Sequence, residues 1–139
     1  HAWEALGIKV QVNVNPPSTH RQQVSKSQLS IFRGSWIADY ADAENYLALF
    51  YSGNHSPNGP NYTHFSNSEF DDLYEKSLHI PLLVNRIPLY EKMDSIVVNH
   101  AAIIPLYYDN VLRFSSKRVK GLGSNAMNML DLKKVKIIN

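Results

Sequence analysis

The stretch Gly34-Ser35-Trp36-Ile37-Ala38-Asp39-Tyr40-Ala41-Asp42-Ala43-Glu44-Asn45-Tyr46-Leu47-Ala48-Leu49-Phe50 constrains this chain more than any other. An apolar run, Leu29, Ile31 and Phe32, leads into a tryptophan and an acid, and a second acid, Asp42, stands where a helix-period pattern begins. That order reads as a strand, a polar turn and a helix start. It sets a large aromatic surface beside a carboxylate at a strand mouth, where a ligand with a cationic end can dock. Asp42 is placed to cap a helix with Tyr46, Leu47, Leu49 and Phe50 on one apolar face and Gly53 at its end.

Upstream, Ile8-Lys9-Val10-Gln11-Val12-Asn13-Val14 alternates apolar and polar residues with period two, which predicts a half-buried strand. Asn15-Pro16-Pro17-Ser18 stops it, and Ser18 or Thr19 caps a short helix to about Lys26. Leu29 to Phe32 then reads as a second strand, so the order strand, helix, strand favours a βαβ crossover and a parallel pair. Downstream, Asn54 to Thr63, rich in proline and asparagine, predicts an irregular surface loop. Ser66-Asn67-Ser68-Glu69 has capping-box spacing before a helix facing inward through Phe70, Leu73, Tyr74 and Leu78. A further helix is expected from about Asn85 to His100, with Leu89, Met93, Ile96 and Val97 buried and Pro88 in its first turn. Ile103 to Tyr108 reads as an extended segment that Val111 to Phe114 continues, Gly121 to Asn125 as a loop, and Asp131 to Ile138 as a closing strand.

With 139 residues, 44% hydrophobic and 19% charged, the chain suits one domain or part of a larger one. Basic residues exceed acidic ones by 14 to 12 and are scattered, apart from Lys117, Arg118 and Lys120 and the solvated group Lys133, Lys134 and Lys136. That pattern argues against nucleic acid as a partner. No apolar run approaches the roughly 18 residues of a transmembrane helix. Cysteine is absent, which removes disulfides, thiolate metal sites and cysteine nucleophiles. The six histidines show no His-x-His or His-Glu-x-x-His spacing, and there is no Gly-x-Ser-x-Gly elbow or phosphate loop. Neither a metal nor a cofactor is expected. Seven of the fifteen aromatics lie between Trp36 and Phe65, a cluster that reads first as core around a helix and second as a binding wall. Because the chain begins at His1 on what reads as the tail of a helix, it is expected to be a processed or excised piece, with any signal peptide or lipid-carrying cysteine upstream.

Four motifs occur in order: Trp36-Ile37-Ala38-Asp39-Tyr40-Ala41-Asp42, then Ser66-Asn67-Ser68-Glu69-Phe70-Asp71, then Arg86-x-x-Leu89-Tyr90-x-Lys92, then Ile104-Pro105-Leu106-Tyr107. In order and spacing they resemble the C-terminal part of family 5 extracellular solute-binding proteins, the periplasmic or lipid-anchored oligopeptide- and dipeptide-binding components of ATP-binding cassette importers. The resemblance runs from about Gly7 to Ile138. It implies the C-terminal part of a type II periplasmic-binding-protein-like fold, an α/β protein of two lobes with a mixed sheet flanked by helices. Residues 1–117 would form part of one ligand-binding lobe, with a hinge near Leu106 to Lys117. Residues 118–139 would return to the opposite lobe.

The partners so implied are a peptide ligand, the permease subunits of the importer and the remainder of the same polypeptide; oligomeric state stays open. In the peptide-binding members the acid matching Asp39 holds the ligand's free α-amino group, and the tryptophan matching Trp36 lines a side-chain pocket. Ser35 and Ile37 lie on backbone able to pair with a ligand main chain. Arg33 and Asn61 flank the same region as further ligand-binding candidates. Asp42 is assigned to helix capping. Relatives with similar tails bind nickel complexes, haem or sugars, so the resemblance leaves the solute open. Without it, Asp39 reads as a turn acid and Trp36 as a core anchor. Two rival functions are a ligand-sensing domain of a transcription regulator and a hydrolase using Asp39 and Asp42, or His64, as acid and base. The favoured expectation is a non-enzymatic module, periplasmic or extracellular, that captures ligand for a membrane permease.

Overall fold

A computed structural model describes residues 3–108, 110–125 and 129–138. Its core is built by two long helices, named α3 and α4 because two shorter ones, α1 and α2, precede them. Asn67, in extended backbone, starts α3 (Ser68–Leu78), its side chain accepting the Phe70 amide at 2.9 Å. The cap is thus Asn67, one residue later than the Ser66 capping box predicts. Phe70, Tyr74 and Ser77 recur at helical spacing and are buried, whereas Leu78, expected on that face, is 56% exposed at the helix end. The second helix, α4 (Leu83–Asn99), begins two residues earlier than expected. Pro88 therefore sits in its second turn, not its first, where the missing N–H leaves the Val84 carbonyl without its helical donor. At the other end Ala101 takes a left-handed φ of 51°. That turn brings the amides of Ala101 and Ala102 back to the carbonyls of Val98 and Val97 at 2.9 and 3.2 Å, which satisfies two otherwise orphaned acceptors.

Met93, fully buried, and Val97 and Tyr90 face α3, with Leu89 and Ile96 packed at the margin. Leu47 and Phe50 complete the cluster from α2 (Glu44–Leu47) and the turn after it. This helix is a single turn, shorter than the pattern to Gly53 suggests, and a 3-10 turn, Ser52–Asn54, follows. Phe50, Phe65 and Phe70 meet edge to face with centroids 5.8 to 6.4 Å apart. The aromatic cluster of the sequence thus divides. Phe50, Tyr51 and Phe65 belong to or line the core, while Tyr40, Tyr46 and Tyr62 are exposed.

Ahead of this core, α1 (Pro17–Ser25) forms, but it starts at Pro17 with Pro16 at the cap position, so Ser18 and Thr19 lie inside the helix instead of capping it. The strands predicted on either side of it do not form. Residues 8–14 and 29–32 make no ladder among the described residues, so no parallel pair and no βαβ unit exists there. Val10, Val12 and Val14 are 52%, 79% and 91% exposed. A strand is a pairing, and alternation supplies a face but not a neighbour. The sheet among the described residues is two-stranded and antiparallel, β1 (Val119–Lys120) with β2 (Lys136–Ile137), rather than the mixed sheet expected. Gly121 permits it: at φ 76° a Cβ there would stand 2.2 Å from the Lys134 carbonyl oxygen.

Truncating Met93 to alanine is expected to cost about 2–5 kcal/mol, while Val12→Ala changes stability by less than about 0.5 kcal/mol. Urea unfolding of both variants checks this; comparable losses would place residues 8–14 inside a packed strand.

Candidate functional site

The turn between the Gly34–Asp39 stretch and α2 is held by two carboxylates. Asp42 Oδ1 accepts the Glu44 amide at 3.0 Å and the Tyr90 hydroxyl at 3.0 Å, and its Oδ2 pairs with Arg86 at 2.7 Å. The cap position of α2 is Ala43 rather than the expected Asp42, whose carboxylate accepts the first helical amide from one residue further out and ties α2 to α4. Burial pushes the Asp42 carboxyl upward, but the Glu44 amide, the Tyr90 hydroxyl and the Arg86 guanidinium outweigh it and hold the group below its ordinary value. Tyr90 is pushed up to about 12, by burial first and by Asp42 second, so its hydroxyl still donates at neutral pH. Glu44, 9% exposed, accepts the hydroxyls of Tyr40 and Tyr74. Burial, and then Glu44, raise the Tyr74 hydroxyl far above its usual range.

Next to these lies Asn45, 5% exposed, whose Oδ1 accepts the Trp36 indole N–H at 2.7 Å and the Asp39 amide at 3.3 Å. Trp36 is half-buried. Asp39 is exposed, and among the described residues its carboxylate makes no hydrogen bond or ion pair. Ser35 and Ile37 are exposed on backbone that belongs to no helix or strand and pairs with none among the described residues, Ile37 at 79%. Arg33 lies at the start of the same stretch, its guanidinium donating to the Tyr107 hydroxyl at 2.6 Å while its carbonyl meets His20 Nε2 at 3.1 Å. The structure therefore keeps Arg33, Ser35, Trp36, Ile37 and Asp39 on one accessible segment. That segment is a surface rather than a cleft. Two hollows lie in the tail, one against Val111, Arg113, Ser115 and Leu122 and one against Gly121, Asn125, Asp131 and Lys134.

Asn61 does not join them. It is fully buried, donating to the carbonyls of Tyr51 and Phe65 at 3.0 and 2.9 Å and accepting from Thr63 Oγ1 and the Phe65 amide at 3.0 and 3.2 Å. With its donors and acceptor engaged inside the loop, its side chain has nothing left to offer a ligand. The expectation for Asn61 is corrected accordingly, as is that of a plain surface loop: residues 54–65 are organised around this amide, and Ser56 is buried with it. His64 Nε2 lies 2.9 Å from the Ser56 carbonyl, 2.8 Å from Ser27 Oγ and 2.9 Å from Ser56 Oγ. A nitrogen facing a carbonyl carries the proton, so His64 is a donor here and not a base able to activate either serine. No group of three or more histidine, aspartate or glutamate side chains that could hold a metal occurs among the described residues. Nor is any described helix long and apolar enough to cross a membrane.

Asn45 and Glu44 were missed as organising residues. The available signal was a poor helix former, asparagine, set among apolar residues at a helix start, where a polar side chain needs a partner.

Comparison with known proteins agrees with this architecture. The solved structure of HbpA2 from Haemophilus parasuis superposes with a TM-score of 0.75 at 19% identity, covering 99% of this chain and 27% of that one. The dipeptide-binding protein DppE of Bacillus subtilis is 30% identical over 112 residues, 81% of this chain and 20% of its own length. Heme-binding protein A of Haemophilus influenzae is 28% identical over 119 residues, 86% of this chain and 22% of its own. No family model matches the chain. The chain spans about a fifth of the length of these curated relatives. The likeness in fold and the likeness in sequence both run to part of a longer protein in each relative. Over that part the chain is similar to the family 5 extracellular solute-binding proteins that its four motifs resemble.

Because Asp42 titrates lower in the folded than in the unfolded chain, the unfolded chain takes up protons first as the pH falls. The stabilisation present above the ordinary carboxylate value of about 4 is then lost as pH drops through the folded value. Asp42→Asn should lower stability at pH 7 and flatten the acid limb of the stability curve, as read by urea melts across pH. An unchanged acid limb would remove Asp42 as its source.

Proposed function

We propose that this chain is part of the peptide-binding receptor of an ATP-binding cassette importer, contributing the carboxylate that meets the ligand's amino end. The observation that carries this is Asp39. Its carboxylate is exposed and unpartnered among the described residues, yet the backbone bearing it is fixed beside Trp36 by a buried amide. Asp42 and Glu44 have their oxygens engaged within the fold, whereas Asp39 combines open oxygens with a held backbone. An ammonium enclosed by a second wall loses its water and needs such a group. The exposed, unpaired backbone at Ser35 and Ile37 offers main-chain donors and acceptors to an extended peptide, which favours affinity independent of side-chain identity. The likeness to DppE, a dipeptide-binding protein, supports the same solute class.

On this reading residues 1–117 form part of one lobe and residues 118–139 return toward the other. The Arg33–Tyr107 hydrogen bond ties the ligand-bearing stretch to the segment that enters the hinge. The receptor works in the periplasm or outside the cell and hands its solute to permease subunits; any lipid anchor belongs to sequence outside these residues. Chemical turnover has no support in the site, where Asp42 is committed to Arg86 and Tyr90 and His64 to a carbonyl.

In the full-length protein, Asp39→Ala should weaken peptides with a free amino terminus by about 3–5 kcal/mol, the cost of leaving an enclosed charge unpaired, and N-acetylated peptides far less. Titration calorimetry with both sets checks it. Equal losses would remove the ammonium assignment, and tight haem binding without peptide binding would shift the solute to the class named for the Haemophilus influenzae relative.

A further inference from the structure

We infer that Asn45 is the positioning residue of this site: it sets the angle between the Trp36 indole and the Asp39 carboxylate without touching the ligand. The inference rests on the reading of Asp39 as the ligand's amino-end contact. Among the described residues, every hydrogen bond made by residues 34–39 ends on the Oδ1 of Asn45. Ile37 and Ala38, between the two donors, have no hydrogen-bonding partner there, and no ladder supports the extended backbone. The stretch that carries the candidate contacts is therefore anchored to the core at one atom.

That atom is itself well held. Asn45 sits on α2, where Asp42 reaches α4 through Arg86 and Tyr90, and Glu44 reaches α3 through Tyr74. A carbonyl oxygen has two lone pairs, which lets one side chain serve an indole and a main-chain amide three residues apart. The indole is thereby fixed in rotation and the Asp39 Cα in place, so the carboxylate leaves the surface in a defined direction. Holding those groups before the ligand arrives removes an ordering cost from binding. An aspartate at position 45 retains the double acceptor; a leucine of similar size offers none.

The two tryptophans provide an internal control for the test. Trp3 is 47% exposed and its indole makes no hydrogen bond among the described residues. In 15N-labelled wild-type chain, the Trp36 indole proton should exchange with solvent at least about tenfold more slowly than that of Trp3. In Asn45→Leu the Trp36 rate should rise to that of Trp3 while the core amides of α3 and α4 keep their protection, and Asn45→Asp should restore the slow rate. In the full-length protein, Asn45→Leu should weaken peptide binding by about tenfold and Asn45→Asp much less. Equal indole exchange in the wild type overturns the inference even if Asn45→Leu does not fold. Wild-type affinity in Asp39→Ala overturns the amino-end reading on which it rests. Loss in Asp39→Ala together with wild-type affinity in Asn45→Leu overturns the role of Asn45 alone.

Discussion

Two carboxylates at the junction of three helices decide the rest of this structure. Asp42 and Glu44 are withdrawn from water where α2 meets α3 and α4, and each can remain there because protein donors replace the lost solvent. The donors come from different helices, Arg86 and Tyr90 on α4 and Tyr74 on α3, so satisfying the acids also fixes where a one-turn helix sits. A four-residue helix has little stability of its own. Here it behaves as a rigid block because its polar side chains are cross-tied to longer helices and its apolar ones, Leu47 and then Phe50, enter the core.

That block separates two kinds of acid within four residues. Asp42 is spent on structure: its oxygens are occupied and its proton affinity is lowered by them. Among the described residues, Asp39 has no partner for its oxygens while its main chain is held. Rigid support beneath an uncommitted charge is what recognition of an opposite charge requires. The Asn61 loop shows the converse economy, with an amide sealed away so that a proline-rich, asparagine-rich segment keeps one shape.

What the sequence revealed follows the range of the interactions involved. The two long helices and α1 were legible because their determinants are local, chiefly apolar residues at helical period between polar or proline-bearing boundaries, while the exact caps were not. Errors there were small, such as Asn67 replacing Ser66 as cap and Leu78 falling outside the buried face. The strands at 8–14 and 29–32 were misread because alternation reports which face is apolar and says nothing about who lies alongside. The segment bearing Trp36 and Asp39 was legible through a family motif, whereas the link that organises it was not, since Asn45 meets Trp36 and Asp39 through a fold in the chain that no spacing rule encodes. Asn61 was misassigned for the same reason: loop asparagines look alike until burial distinguishes them.

The unpaired extended segments have a further consequence. Among the described residues, Val12, Val14 and Ile37 stand 79–91% exposed along backbone whose amides and carbonyls form no ladder, and Tyr108 and Phe114 are exposed to 98% and 94%. Bare strand edges with apolar side chains are templates: they recruit whatever extended chain is offered, from the same polypeptide, from a ligand or from a neighbouring molecule. Unpaired backbone flanked by exposed apolar side chains makes these residues, expressed by themselves, prone to self-association at high concentration.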